Sequence, residues 1–275
     1  MKGTTMRIDE HINELNAASY ATAGAAGRYQ GWNELFEGER QLIEKYRSAF
    51  QGRVLDIAIG AGRTTGSLHP IAKDYIGLDL SPTMVQHARQ QYPHLDIREM
   101  DMRQVPSMFS GQQFDAILIS FNSIDYIPWS DRVPLLTGLR RLLSDGGLLI
   151  VSTHSLEHLQ RHPVRLWPGS ADRPTLASLR HAPLVHAKQW LRLLRWLLKA
   201  PRNRLRLKRH ERKGEGFAIV NDAGEYFSLL TAYVDDEHQR KQFADAGLRV
   251  LDRIGGNRPA GDSFFHYYVT VANPS

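Results

Sequence analysis

Val54-Leu55-Asp56-Ile57-Ala58-Ile59-Gly60-Ala61-Gly62-Arg63-Thr64-Thr65 is the stretch on which the reading of this chain turns. An apolar run of strand character ends in Gly-x-Gly and passes into a helix-compatible segment. Glycine lets the backbone turn sharply and approach a ligand closely, and the amides at a helix N-terminus are free to meet it. Gly-x-Gly alone is a weak signal, but Asp79 closes the next apolar run, 17 residues after Gly62. An acid at that spacing is placed to accept the two hydroxyls of a ribose. The full dinucleotide fingerprint requires glycine at position 65, where this chain has Thr65, so a nicotinamide or flavin enzyme is disfavoured.

Outward from this stretch, short apolar runs at 54–58, 75–80, 95–99, 114–120 and 148–153 alternate with helical patterns, notably at 82–91 and 131–143. Such alternation predicts βαβ units and a parallel sheet with helices on both faces. Asp145-Gly146-Gly147 reads as the turn before the fifth run. After His154 the rhythm stops for about 75 residues, punctuated by Pro163, Pro168, Pro174, Pro183 and Pro201. It resumes with a helix at 235–246 and strands at 248–254 and 264–272. The short Gly- and Pro-containing link between those strands suits a hairpin and is too short for a parallel crossover. The expected organisation is a helical N-terminal extension over 1–50, an α/β domain made of 51–155 and 232–275, and an inserted basic cap over 156–231.

Composition narrows the class. The chain has 275 residues, 42% of them apolar, and no cysteine, which excludes disulfides, cysteine–zinc sites, iron–sulfur clusters and thiol nucleophiles. No apolar run approaches the ~20 residues of a membrane span, and Met1 to Glu10 lacks the apolar core of a secretory signal. A cytoplasmic protein is expected. The net charge is +6, yet residues 180–213 carry twelve Lys or Arg against the single acid Glu211, a local +11 that leaves −5 on the rest. A mildly acidic body with one basic segment is not the pattern of a general nucleic-acid binder.

At this point the sequence resembles the class I S-adenosylmethionine-dependent methyltransferases. Residues 54–65 are similar to their first motif, Tyr75-Ile76-Gly77-Leu78-Asp79-Leu80-Ser81-Pro82-Thr83-Met84 to their second, and Asp101-Met102 to their third acidic position. Phe114-Asp115-Ala116-Ile117 and the glycine pair at 146–147 resemble the fourth strand and the following turn. The resemblance implies a Rossmann-like, seven-stranded, mostly parallel sheet with the last strand antiparallel. It implies S-adenosyl-L-methionine as cofactor and S-adenosyl-L-homocysteine as product; no metal is expected, because the histidines outside the site are scattered and lack metal-ligand spacing. It also implies cofactor contacts from Asp56, Ala58, Gly60, Gly62, Arg63, Asp79, Leu80, Met84, Asp101, Met102 and Ser120. Asp79 would hold the ribose, Asp101 the adenine amino group, with Leu80 and Met102 against the ring. Asp56 would act near the ammonium, directly or by ordering backbone. One departure is Ala58-Ile59 where the family has Gly-Cys or Gly-Thr; a methyl there narrows the space beside the methionine moiety.

Methyl transfer is an in-line displacement, so the acceptor must be held against the sulfonium methyl at the ends of strands four and five. There the chain reads Ser120-Phe121-Asn122-Ser123-Ile124-Asp125-Tyr126 and Ser152-Thr153-His154-Ser155. His154 is the candidate base, because imidazole titrates near neutrality, with Asp125 as its orienting partner. Tyr20, Tyr29, Trp32, Asn122, Tyr126 and Tyr226 are the candidate acceptor residues. The amphipathic pattern of Trp190, Leu191, Leu194, Leu197 and Leu198 among Arg192, Arg195 and Lys199 predicts a helix docked by its apolar stripe, with peripheral membrane contact as the alternative. The expected function is O-methylation of a small-molecule acceptor, a sugar or specialised metabolite, anionic if the basic segment meets it. No nucleic acid is expected. The alternatives are RNA or protein methylation, or a silent cofactor-binding subunit.

Overall fold

The computed structural model describes residues 14–16, 19, 34–164, 183–223, 226–256 and 263–273, without the side chains of 183–189 and 192. The expected strands form: β1 (Arg53–Ile57), β2 (Asp74–Asp79), β3 (Asp96–Glu99), β4 (Phe114–Ile119) and β5 (Leu143–Ser155). They are followed by β6 (Arg212–Gly214), β7 (Phe217–Val220), β8 (Thr231–Val234), β9 (Leu248–Gly255) and β10 (Phe265–Ala272). The longer helices are α1 (Glu37–Lys45), α2 (Pro82–Gln91), α3 (Arg132–Arg140), α4 (Leu156–Arg161), α5 (Pro183–Leu207) and α6 (Asp236–Asp245).

The period-2 pattern of each central strand sends its side chains into two cores. Leu55, Ile57, Ile117, Ile119, Leu149 and Val151 pack with Leu135, Leu136 and Leu139 of α3 and Phe243 of α6. Val54, Ala116, Leu118, Leu148 and Ile150 pack on the other face with Leu42 and Ile43 of α1 and with Phe50. This is the α/β, Rossmann-like architecture with helices on both faces. The strand order β3-β2-β1-β4-β5 is parallel throughout, and β10 lies antiparallel between β5 and β9.

Two expectations need correction. The sheet has ten strands among the described residues instead of seven, because β6 and β7 of the inserted segment join it through β8, which begins at that segment's last residue, Thr231, in an antiparallel β6-β7-β8 unit. β5 also begins at Leu143 and takes in the glycine pair expected to precede it, with Gly146 in the left-handed region at φ +73°. The junction with β8 is specific. His154 pairs with Phe265 of β10 on one edge and with Tyr233 of β8 on the other. β4 occupies that second edge only as far as Val151, so β8 continues the sheet where β4 stops.

The described N-terminal residues are tied to the rest of the chain at several places. Gly38 donates its N–H to Gly256 O at 3.0 Å, and a β-carbon there would lie 2.3 Å from Gly255 O, so only glycine lets α1 approach β9 this closely. Further back, the buried Asn16 amide donates to Tyr126 O and Leu230 O, both at 2.9 Å, and accepts from Leu230 N. Leu15 joins the small core of Leu207, Ile219, Leu230 and Ala232. No helix of the described residues is long and apolar enough to cross a membrane.

Candidate active site

The parallel strands end along one edge, and strand order reverses between β1 and β4, where open α/β sheets open a crevice for ligands. On the β1–β2 side, Gly60 lies at φ +58° and a β-carbon on it would meet nothing within 4 Å, so the loop borders open space. Gly62, at φ +98°, is constrained differently, since a β-carbon there would press to 2.8 Å on the Tyr92 ring. Asp79 receives Gly60 N–H at 2.7 Å on one oxygen and Ser81 N–H at 2.8 Å on the other. Burial raises its pKa, and these two amides counter the rise. A carboxylate has about four lone-pair sites, so Asp79 keeps acceptor capacity for a ligand's hydroxyls. Leu80 is exposed beside it, Met84 is buried against Ala61, and Met102 is half-buried.

Asp56 is fully enclosed. Thr64 O–H at 2.6 Å and Tyr75 O–H at 2.9 Å donate to its Oδ2, while Oδ1 is buried without a partner among the described residues. Desolvation pushes its pKa up to about 7 against those hydrogen bonds. Its hydroxyl partners pin the turn after β1, which supports the backbone-ordering role over direct contact. Ala58 takes φ +63°, a left-handed conformation at a position that carries a β-carbon. Two further candidates have side chains engaged elsewhere. Asp101 caps the turn at 102–104 and binds Arg103 through both oxygens, the shortest contact 2.7 Å. Arg63 pairs with the buried Glu39 of α1, which also accepts from Tyr267 O–H at 2.6 Å and Phe36 N–H at 2.9 Å. The Arg63 guanidinium lies 5.1 Å from the Phe36 ring and 5.4 Å from Phe121, which stack on each other, while Ser120 Oγ is a distant 3.4 Å away.

On the β4–β5 side the structure brings the two catalytic candidates together. Asp125 and His154 are both buried. Asp125 Oδ2 faces His154 N at 2.7 Å and His154 Nδ1 at 2.8 Å, and its Oδ1 accepts from Thr153 O–H and Arg132, both at 2.6 Å. Burial pushes the Asp125 pKa up, but the Arg132 charge, His154 and Thr153 outweigh it and hold the carboxyl below its usual range. An ionised Asp125 only accepts, so the ring proton of His154 sits on Nδ1. In the neutral ring Nε2 is then the acceptor nitrogen, and Asn122 Nδ2 stands 3.2 Å from it. Asn122 Oδ1 is buried without a partner among the described residues. Tyr126, Tyr233 and Phe264 wall the imidazole, with ring centroids at 6.2, 5.0 and 4.8 Å.

Sequence reading missed Arg132. Its guanidinium is fully buried, donating also to Gln239 Oε1 at 2.7 Å and Gln242 Oε1 at 3.1 Å on α6. An arginine at the start of a helix ordinarily reads as solvated, and its two glutamine acceptors lie more than 100 residues away. Tyr226 sits at φ +60° next to Phe227 at φ +61°, and Asn122 at φ +60° next to Phe121 at φ +52°. Backbone strain of this kind gathers at ligand sites, and both pairs lie on segments that lead to His154. Tyr20, Tyr29 and Trp32 lie outside the described residues. Among the described residues no group of three His, Cys, Asp or Glu side chains is arranged to hold a metal.

The comparisons with known proteins bear on the fold and the family. Residues 54–147 match the model of a methyltransferase domain family. The chain is similar to a putative methyltransferase, YqeM, of Bacillus subtilis, 32% identical over 132 residues, covering 46% of this chain and 49% of that protein. It is similar to a ubiquinone biosynthesis O-methyltransferase of Cereibacter sphaeroides, 30% identical over 42% of this chain and 44% of that protein. A dTDP-3-amino-3,4,6-trideoxy-alpha-D-glucopyranose N,N-dimethyltransferase of Streptomyces venezuelae is 28% identical over 40% of this chain and 45% of its own length. The chain thus spans about half the length of these curated relatives. Among solved structures, the CcbJ methyltransferase of Streptomyces caelestis superposes with a TM-score of 0.58 at 14% identity, over 90% of this chain and 96% of its own. A S-adenosylmethionine-dependent methyltransferase of Leishmania major gives 0.57 at 14% identity, over 96% and 82%. At that identity the two structures speak to the fold.

Proposed function

From a chain whose central domain belongs to the class I S-adenosylmethionine-dependent methyltransferases, we propose an enzyme that O-methylates a small-molecule acceptor, a sugar or specialised metabolite. The observation that carries the O-directed reading is the Asp125–His154 pair. Its Nδ1–H is anchored, and an acceptor hydroxyl that displaces the 3.2 Å contact from Asn122 would meet Nε2 as a base, the arrangement that takes a proton from a hydroxyl. Asn122 Oδ1 beside it is a buried acceptor that an incoming O–H or N–H would satisfy.

The cofactor side fits S-adenosylmethionine. Gly60 leaves room for it, Asp79 retains acceptor capacity for the ribose, and exposed Leu80 with Met102 offers apolar surface to the base. When bound, the cofactor supplies a methyl group on a sulfonium, already activated for displacement. The protein's own work is to exclude water, align the acceptor and receive its proton at His154 Nε2. Asp101 is the weakest member of the set, because Arg103 fills its lone pairs.

The remaining proposals concern cover. In this reading α1 and the residues before it close over the cofactor, and 156–231 closes over the acceptor. The Glu39–Arg63 pair, and the pairing of Ala218 in β7 with Tyr233, which packs on His154, support these placements. The relatives include both O- and N-directed enzymes, and the aminosugar N,N-dimethyltransferase favours a second reading, a sugar amine as acceptor.

Calorimetry with S-adenosylmethionine tests the first half. Binding is expected, and Asp79→Ala should weaken it by about 1.5–3 kcal/mol through lost charge-assisted hydrogen bonds. Acceptor-dependent release of S-adenosylhomocysteine tests the second. His154→Ala should slow single-turnover transfer by about 10²–10⁴-fold with cofactor affinity retained. A loss of only a few-fold would move the assignment to an amine acceptor that arrives unprotonated.

A further inference from the structure

Helix α5 has two apolar faces, and the fold uses one. Leu207 is buried with Ile219, Leu230 and Ala232, Ala200 is buried, Trp196 meets the Phe227 ring at 6.5 Å, and Asn203 donates to Tyr226 O. That face docks α5 on the β6–β8 unit. It is not the face the sequence marked for docking. Trp190, Leu191, Leu194, Leu197, Leu198 and Leu205 are all exposed, the last at 84%. At about 100° per residue they share one arc of about 120°. Arg195, Lys199, Arg202 and Arg206, also exposed, border that arc along one side.

We propose that this outer stripe seats the protein on an anionic lipid surface, independently of which acceptor it methylates. Six large apolar side chains in water carry an unfavourable hydration cost that their own fold does not relieve. The charge decides what relieves it. Residues 180–213 carry +11, so a second copy docked face to face would oppose +11 with +11. A nucleic acid would meet the cations and leave the leucines wet. A bilayer with acidic headgroups meets both requirements at once. The stripe enters the acyl boundary while long basic side chains reach up to the headgroups, the geometry of interfacial amphipathic helices. Trp190, with an apolar body and one N–H donor, suits the same boundary.

Vesicle flotation with the full chain tests this. The protein should float with vesicles of phosphatidylcholine containing a quarter phosphatidylglycerol, and not with phosphatidylcholine alone. Raising salt well above ~0.1 M should weaken the association, because exposed charges are then screened over a shorter distance. Leu194→Glu with Leu198→Glu should reduce floated protein at least about tenfold, as expected from removing two buried leucines from the interface. Arg195→Glu with Lys199→Glu should do the same while retaining every leucine. An unchanged thermal midpoint in each variant confirms that the fold is intact. Equal flotation with neutral and acidic vesicles, or none with either, overturns the proposal. So does a dimer in light scattering that Leu194→Glu with Leu198→Glu converts to monomer, since a second copy would then cover the stripe.

Discussion

His154 presents its backbone N–H, at 2.7 Å, and its ring Nδ1, at 2.8 Å, to the same oxygen of Asp125. The double grip fixes the ring plane as well as the tautomer, because the strand and the imidazole share one acceptor. Asp125→Asn removes that certainty, since an amide can present N–H to Nδ1 and drive the proton to Nε2. Transfer is expected to fall by about 10²–10⁴-fold near neutral pH in single-turnover kinetics, with calorimetric cofactor affinity unchanged. Equal rates in the variant would show that the pair is structural.

Arg132 should behave as the guarantor of that ionised carboxylate. Removing it as Arg132→Met leaves a buried negative charge, and two glutamine carbonyl oxygens, without their donor. The expected loss is about 3–5 kcal/mol in urea unfolding. Arg132→Met combined with Asp125→Leu should recover much of the stability and none of the transfer rate. Recovery of both would separate Arg132 from the chemistry.

Asp56 predicts a pH dependence opposite to that of a paired surface acid. Its folded pKa is raised from 3.8 to about 7 by burial. The folded state therefore holds a proton that the unfolded chain releases at lower pH. The associated stability is full below the unfolded pKa and is lost as pH rises toward about 7. Asp56→Asn should flatten this part of the profile in urea midpoints measured between pH 4 and 8, and an unchanged slope would assign the effect to another group.

Ala58→Gly should stabilise the protein. A left-handed residue with a β-carbon costs about 1–2 kcal/mol, and glycine's extra unfolded-state freedom returns about 0.5–1 of it. A net gain of about 0.5–1 kcal/mol in chemical denaturation is expected. A loss would show that the methyl group makes packing contacts that outweigh its strain.

The central strands were legible because each concentrates apolar residues between turn signals, and because burial on both sheet faces leaves little room for polar ones. Asp79 was legible from its spacing alone. β6 was not, since Arg212-Lys213-Gly214 has no apolar residue and exists only as the partner of β7. The stripe on α5 was read as the docking face because leucines outnumber what faces inward. The inward face works with a few contacts, chiefly Leu207 and Trp196, whose partners lie downstream in β7, β8 and the segment between them. Asp125 and His154 were named, but their link to α6 through Arg132 rests on partners brought together only by folding.

The edge of β5 that β4 leaves and β8 takes up bears on how such a chain can diversify. His154↔Tyr233 and Ser155↔Val234 are rungs of a single ladder, and β8 pairs in turn with β7, so the inserted segment is welded through β8 to the strand that carries the imidazole. Exchanging that segment wholesale with a homologue's would cut the β7–β8 pairing and loosen the strand that holds the ring it was meant to serve. Inherited change in what the crevice accepts is thereby channelled into point replacements around 226–230 and 121–126, and a grafted chimera would have to bring its own β8 and the end of β5 together.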